Sequence, residues 1–184
     1  MEKKIKIIGM TGSLRKASYN KGVLRYIEEI VPAGVEYKNI DVSNLPFYNE
    51  EYDETGYPDA VMTLKEKLKE ADAVLLATPE YNYSIPPVLK NALDWVSRGE
   101  EKPLAGKRAA LLSVTIGPLG GARVQYHLRQ TLLALDVTVM NRPELFIANA
   151  KEKFDAEGNL QDEKTKKYTK RLLDALIEEI KKNK

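Results

Sequence analysis

The chain has 184 residues, of which 43% are hydrophobic and 30% charged, and its formal net charge is +2. These values are typical of one globular domain, and no segment approaches the roughly 20 apolar residues of a membrane-spanning helix. The near-neutral charge, without a basic block, gives no support for nucleic-acid binding. Because cysteine is absent, disulfides, thiolate metal sites and a cysteine nucleophile are excluded. We therefore expect a single domain over residues 1–184 in the cytoplasm, with no signal peptide, membrane or nucleic-acid partner.

Apolar runs predict the strands. Residues 4–10, 73–78 and 109–115 are short and almost continuously hydrophobic, as is typical of strands covered on both faces of a parallel sheet. Residues 35–42 and 137–147 are weaker candidates, and Pro143 indicates that the last strand is broken or lies at an edge.

Helical periodicity fills the gaps between the strands. Helices are predicted at residues 60–71, 87–98, 121–135 and 165–182, and a further helix follows residues 12–20. Strands that alternate with helices across short connections predict an open, doubly wound α/β fold. In such a fold three loops, at residues 11–19, 78–86 and 115–121, meet at the carboxyl edge of the sheet, where ligands bind.

The first of these loops has the composition of an anion site. Residues 12–20 (GSLRKASYN) follow the first strand and begin a helix. The unpaired N–H groups of a helix N-terminus carry partial positive charge, and Ser13, Ser18, Asn20 and Arg15 add further donors. This combination is typical of a site for a phosphate monoester. The alternative is a capped turn with a solvated arginine.

The second loop, residues 78–87 (TPEYNYSIPP), combines three prolines with two tyrosines and an amide. Tyrosine faces and backbone amides would suit a planar heteroaromatic ring with polar edges. The alternative is a surface loop ordered by its prolines, since Pro and Asn are common in turns.

The third loop, residues 115–121 (TIGPLGG), places a hydroxyl at a strand end beside glycines that permit close backbone approach. Neither G-x-x-x-x-G-K-[ST] nor G-x-G-x-x-G occurs, which removes the common nucleoside triphosphate and dinucleotide motifs.

Three motifs in this order resemble a known family. They are GSLR at 12–15 with Ser18 and Asn20, PEYNYS at 79–84 with KNALDW at 90–95, and GGAR at 120–123. Together they resemble the NAD(P)H-dependent FMN reductases, with most similarity to the bacterial quinone and chromate reductase branch, from residue 5 to about 147. The resemblance implies a flavodoxin-like three-layer α/β/α sandwich. Its parallel sheet would have five strands in the order 2-1-3-4-5.

The resemblance also implies FMN as a bound cofactor and NADPH or NADH as co-substrate. First-loop residues would hold the phosphate, second-loop residues would line the flavin ring, and third-loop residues would close the site. The implied cofactor-binding residues are Ser13, Leu14, Arg15, Ser18, Tyr19, Asn20, Pro79, Glu80, Tyr81, Asn82, Ser113, Thr115 and Gly117. Hydride would pass from the nicotinamide to the flavin and on to a quinone, chromate, an azo compound or free flavin. No catalytic side chain is expected, because the flavin carries the chemistry.

Other residues are assigned simpler roles. We expect Glu80 to orient the flavin loop through its backbone, Trp95 to lie in the core, and His127 to be a structural or interface residue rather than a metal ligand. No metal site is predicted. Residues 45–57 are either part of an acceptor site or an ordinary surface loop or subunit contact.

Quaternary structure and two other functions complete the expectations. By the same resemblance, Arg123, Tyr126 and Glu144 would contact a neighbouring subunit in a homodimer or homotetramer. One alternative function is a flavodoxin-like electron carrier with a protein redox partner. Another is a non-enzymatic module that binds a different phosphate ligand in the same pocket.

Overall fold

A computed structural model of the chain describes residues 4–183. Within them, six strands form one parallel sheet: β1 Ile5–Thr11, β2 Val35–Ile40, β3 Ala73–Thr78, β4 Arg108–Val114, β5 Thr138–Val139 and β6 Leu145–Ile147. The strand order is β2-β1-β3-β4-β5, and β6 also pairs with β4. The expected order 2-1-3-4-5 is therefore confirmed. Two short segments share the fifth position, with Pro143 between them, as the sequence predicted for a broken edge strand.

The predicted helices lie within two residues of their expected bounds. The helices are α1 Tyr19–Ile30, α2 Tyr52–Thr55, α3 Asp59–Glu70, α4 Pro87–Val96, α5 Ala122–Ala134 and α6 Glu163–Lys182. The short α2 and a 3-10 turn at Ala150–Glu152 were not predicted from periodicity. None of the described helices combines the length and hydrophobicity needed to cross a membrane.

Side chains alternate between the two faces of the sheet, which produces three layers. In β1, Ile5 and Ile7 join the core formed with α1 and α6, while Ile8 and Met10 join the core formed with α3, α4 and α5. All six residues of β3 are buried. The continuous apolar runs in the sequence therefore correspond to strands covered on both faces.

The segment between β2 and α3 is fastened to α4. Trp95 is fully buried, as expected, and its indole Nε1 donates to the carbonyl oxygen of Pro46 at 2.7 Å. The side-chain amide of Asn91 donates to the same carbonyl and accepts from the backbone N–H of Tyr48. Three tyrosine rings lie 5.1–5.6 Å from the Trp95 ring: Tyr48, Tyr52 and Tyr57. Three tyrosines of residues 45–57 thus pack on Trp95, whereas Phe47 is 78% exposed, and the part of this segment in an acceptor site stays a prediction.

The segment after the 3-10 turn supports the start of α1 from outside. The Phe154 ring lies 4.9 Å from the Tyr19 ring, and Arg25 donates to Asn159 Oδ1 at 2.7 Å. Gly158 approaches so closely that a Cβ added to Gly22 would overlap its carbonyl oxygen. The first turns of α1 are therefore fixed by a segment far away in the sequence.

We expect Gly22→Ala to lower the free energy of unfolding, although alanine is the better helix former. The helix preference alone would stabilise by about 1 kcal/mol. The overlap with the Gly158 backbone should cost more, leaving a net loss of roughly 1–2 kcal/mol once overpacking is included. Urea denaturation measures the change. Gly117→Ala is the matched control because nothing lies within 4 Å of a Cβ added there. A Gly22→Ala protein as stable as the native chain would contradict this packing.

Candidate functional site

A cavity of about 250 Å³ opens at the carboxyl edge of the sheet, where β1, β3 and β4 end. Parallel strands bring the loops that follow them to one edge, and this edge is where doubly wound sheets bind ligands. The residues around the cavity are Ser13, Arg15, Ser18, Tyr19, Asn20, Pro79, Glu80, Tyr81, Val114, Thr115 and Ile116. Nine of these eleven belong to the site residues that the sequence resemblance implied. The three predicted loops therefore converge in space.

Four implied site residues lie outside this lining. Leu14 is 57% exposed and lines a neighbouring cavity. Asn82 lies at the tip of a turn, and Gly117 accepts a hydrogen bond from the backbone N–H of Asn149 at 3.3 Å. Ser113 is fully buried. Their direct contact with a cofactor stays a prediction.

The first loop gathers positive charge at the start of α1. Ser18 is the N-cap, and its Oγ accepts from the backbone N–H of Lys21 at 3.3 Å. The Arg15 guanidinium stacks 5.1 Å from the centre of the Tyr19 ring and donates to the carbonyl oxygen of Ala17 at 2.9 Å. A helix N-terminus, two buried serines and an arginine on one side of a cavity match an anion.

Asn20 joins the first loop to the third. Its side-chain Nδ2 donates to the carbonyl oxygen of Val114 at 3.1 Å, and its Oδ1 accepts from the N–H of Val114 at 3.2 Å. Both groups are buried, so the two bonds are shielded from water. Asn20 lines the cavity, but its amide is committed to fixing α1 against the end of β4.

The second loop is a tight hairpin. Tyr81 and Ser84 exchange two backbone hydrogen bonds of 3.1 and 2.9 Å. The two residues between them, Asn82 and Tyr83, have φ values of 48° and 68°. Positive φ at both central positions is the type I′ geometry, which matches the natural twist of paired strands. The loop therefore presents Tyr81 from a defined backbone.

The Glu80 side chain attaches this hairpin to α5. Its carboxylate accepts from the backbone N–H of Val124 at 3.0 Å and lies 3.7 Å from the Arg123 guanidinium. The same guanidinium lies 4.1 Å above the Tyr83 ring. The sequence analysis expected Glu80 to act through its backbone, whereas the structure gives its carboxylate a specific partner at a helix N-terminus.

Buried polar groups of β4 and α5 hold the third loop in place. Gly120 and Gly121 have φ values of 60° and 83°, and a Cβ added to Gly121 would lie 2.7 Å from the Cβ of Ser113. Ser113 Oγ donates to the Gly120 carbonyl at 2.6 Å and accepts from Nε2 of Gln125 at 2.8 Å. Sequence reasoning missed Gln125, although a fully buried amide beside the apolar face of α5 needs such partners.

The remaining candidates lie on or near α5. His127 Nδ1 is 3.2 Å from Ser84 Oγ, a second link between α5 and the hairpin. Tyr126 is 54% exposed, and Glu144 accepts from Arg142 at 3.0 Å. Residues 4–183 contain no group of three or more His, Cys, Asp or Glu side chains that could hold a metal ion.

The strand order and the positions of the three loops define a flavodoxin-like fold with a cavity at the carboxyl edge of its sheet. The model of the NADPH-dependent FMN reductase family matches residues 5–152, and the chain belongs to that family. This confirms the resemblance seen in the motifs.

Named relatives are similar over nearly the whole chain. An NAD(P)H-dependent FMN reductase of Pseudomonas aeruginosa is 48% identical over 176 residues, covering 96% of this chain and 95% of the relative. A quinone reductase of Escherichia coli is 42% identical over 168 residues, covering 90% and 89%. Among solved structures, the flavoenzyme NAD(P)H:acceptor oxidoreductase FerB from Paracoccus denitrificans has a TM-score of 0.87 at 34% identity, covering 97% and 98%.

We expect Glu80→Ala to loosen the hairpin and to destabilise the fold. Loss of a carboxylate that caps a helix N-terminus costs about 0.5–2 kcal/mol. The free energy of unfolding in urea measures the cost. Glu100→Ala, which removes an exposed carboxylate, is the control and should change stability by less than about 0.5 kcal/mol. Equal stability of the two variants would show that the contact with Val124 contributes nothing.

Proposed function

We propose that the protein is an FMN-dependent NAD(P)H oxidoreductase that reduces quinones or similar small acceptors. The observation that carries the proposal is one cavity that joins the start of α1 to the Tyr81 hairpin and to Thr115. Family membership and the names of the relatives point to the same activity.

The residues present suit FMN in their donor chemistry. Ser13, Arg15 and Ser18, with the N-terminal amides of α1, would hold the phosphate, since each supplies a donor or positive charge. Pro79, Tyr81 and the third-loop residue Thr115 would line the ring. FMN supplies the redox chemistry when bound, and the protein binds, orients and excludes water.

No side chain of the site is assigned as a general acid or base. The Glu80 carboxylate is used to anchor the hairpin on α5, and the Asn20 amide is used on Val114. These residues position the walls of the cavity. The electron acceptor would then need only access to the bound cofactor. A small quinone, the substrate named for the E. coli relative, meets this requirement.

Reconstitution tests the proposal. The purified protein is mixed with FMN, separated from free cofactor and examined for flavin absorbance, and oxidation of NADPH and NADH is then followed with a benzoquinone. We expect a yellow protein that oxidises at least one nucleotide in a quinone-dependent way. A protein that retains no FMN would overturn the proposal. FMN retention without nicotinamide oxidation would support the electron carrier instead.

Arg15→Ala should weaken FMN binding by roughly 1.5–3 kcal/mol, the loss expected for a hydrogen bond to a charged group. Fluorescence titration of the apoprotein with FMN measures the affinity. Lys16→Ala is the matched control, because Lys16 is an exposed cation of the same loop that lines neither cavity. Equal losses in both variants would indicate general charge attraction rather than a contact by Arg15.

The proposed assembly is a homodimer or homotetramer in which Arg123, Tyr126 and Glu144 contact a neighbouring subunit. The 54% exposure of Tyr126 and the 77% exposure of Leu133, both on α5, support such a contact. Light scattering should give at least twice the mass of one chain, and Tyr126→Glu should reduce it. A monomeric native protein would exclude this assembly. The cytoplasmic location stays a prediction.

A further inference from the structure

Two of the loops around the proposed FMN cavity are attached to the first turn of the same helix, α5. On the hairpin side, the Glu80 carboxylate accepts from the backbone N–H of Val124 at 3.0 Å. On the third-loop side, the side chain of the next residue, Gln125, donates to Ser113 Oγ, which in turn donates to the carbonyl oxygen of Gly120. Consecutive residues of α5 therefore hold two separate loops of the cavity.

The nitrogen of the Gln125 amide makes two buried hydrogen bonds. Nε2 donates to Ser113 Oγ at 2.8 Å and to the carbonyl oxygen of Leu145 at 2.9 Å. Because a backbone carbonyl can only accept, the nitrogen and not the oxygen of the amide must lie on the side of Leu145. Both hydrogens of the NH2 group are then used, one on β4 and one on β6.

These bonds fix the direction of the Ser113 hydroxyl. The hydroxyl has one hydrogen, and since its oxygen accepts from Gln125, that hydrogen is left for the Gly120 carbonyl at 2.6 Å. Gly120 has a φ of 60°, and a Cβ added to it would lie 2.8 Å from the carbonyl carbon of Phe146 in β6. The end of the third loop is therefore held closely against β4 and β6.

The oxygen of the same amide has no such use. Gln125 is fully buried, and no group within residues 4–183 donates a hydrogen bond to its Oε1. A buried oxygen without a donor destabilises the fold by its free energy of desolvation. The amide is thus only half satisfied, and its contribution lies in the two strands and the loop that Nε2 connects.

We propose that Gln125 is a positioning residue for the flavin ring, because it holds the end of the loop that borders the ring. The inference rests on the proposed function, in which FMN occupies the cavity. Thr115 and Ile116 of the third loop line that cavity. Backbone hydrogen bonds at Thr115 and Gly117 hold the start of the loop, and the Gln125 chain holds its end at Gly120. Loss of the second attachment would disturb the ring side of the cavity and leave the phosphate donors of the first loop in place.

Fluorescence titration of the apoprotein with FMN and with riboflavin, which has the ring but no phosphate, tests the assignment. Gln125→Met keeps the size of the side chain and removes its donors. It should weaken the binding of both flavins by the same factor, about fivefold to tenfold, on the scale of one hydrogen bond. Arg15→Ala should weaken the binding of FMN alone. Ser113→Ala should act as Gln125→Met does, and the double variant should bind no more weakly than the weaker single variant, since the two residues form one chain.

Thr169→Val is the matched control. Thr169 is also fully buried, and its hydroxyl donates to the Thr165 carbonyl within α6, so its loss should leave both affinities unchanged. At saturating FMN, visible circular dichroism, which reports the surroundings of the ring, should change in Gln125→Met and not in Thr169→Val.

Three results would overturn the assignment and leave the proposed function intact. They are native riboflavin affinity in both Gln125→Met and Ser113→Ala, a loss confined to FMN, and an equal loss in Thr169→Val. A native protein that binds neither flavin would refute the proposed function and the assignment with it.

Discussion

The two hydrogen bonds between the Asn20 amide and the backbone of Val114 fix the geometry on which the cavity depends. They bring the first turn of α1 to the end of β4, so that the N-terminal amides of α1 and the third loop border the same cavity. Both partners are buried, so a Val114 N–H or carbonyl without a hydrogen bond would destabilise the fold by its full free energy of desolvation. Asn20, which the sequence indicates as a phosphate ligand, therefore also positions α1, and its contact with a cofactor stays a prediction.

The other two loops are held in the same way, by contacts behind the cavity rather than across it. Glu80 fastens the hairpin to the N-terminus of α5, and Ser113 fastens the third loop with help from Gln125. All three loops therefore take their positions from strands and helices of the core. A pocket whose walls are fixed before binding loses less conformational entropy when a ligand enters. The same arrangement connects the hairpin to α5, the helix proposed to meet a neighbouring subunit.

Sequence patterns predicted the elements of this fold but not the contacts between distant ones. The fully buried β3 followed from its unbroken apolar run, and the positive character of residues 12–20 followed from composition. The contact of Gly158 with α1 could not be predicted from the sequence, because periodicity describes only residues that are close along the chain. The contact of Glu80 with α5 could not be predicted either, because no sequence pattern indicates the partner of a carboxylate in a loop. The family resemblance indicated FMN as the cofactor, and the packing in the structure explains the residues around the cavity.

Two cations lie near the start of α1, on opposite sides of the first loop. Arg15 lies beside the proposed FMN cavity, and Lys21 lines the neighbouring cavity. In the free protein a cation near a helix N-terminus is unfavourable, because it faces the positive end of the helix dipole. An anion bound in the cavity beside Arg15 would offset part of this cost and would stabilise the folded protein by mass action.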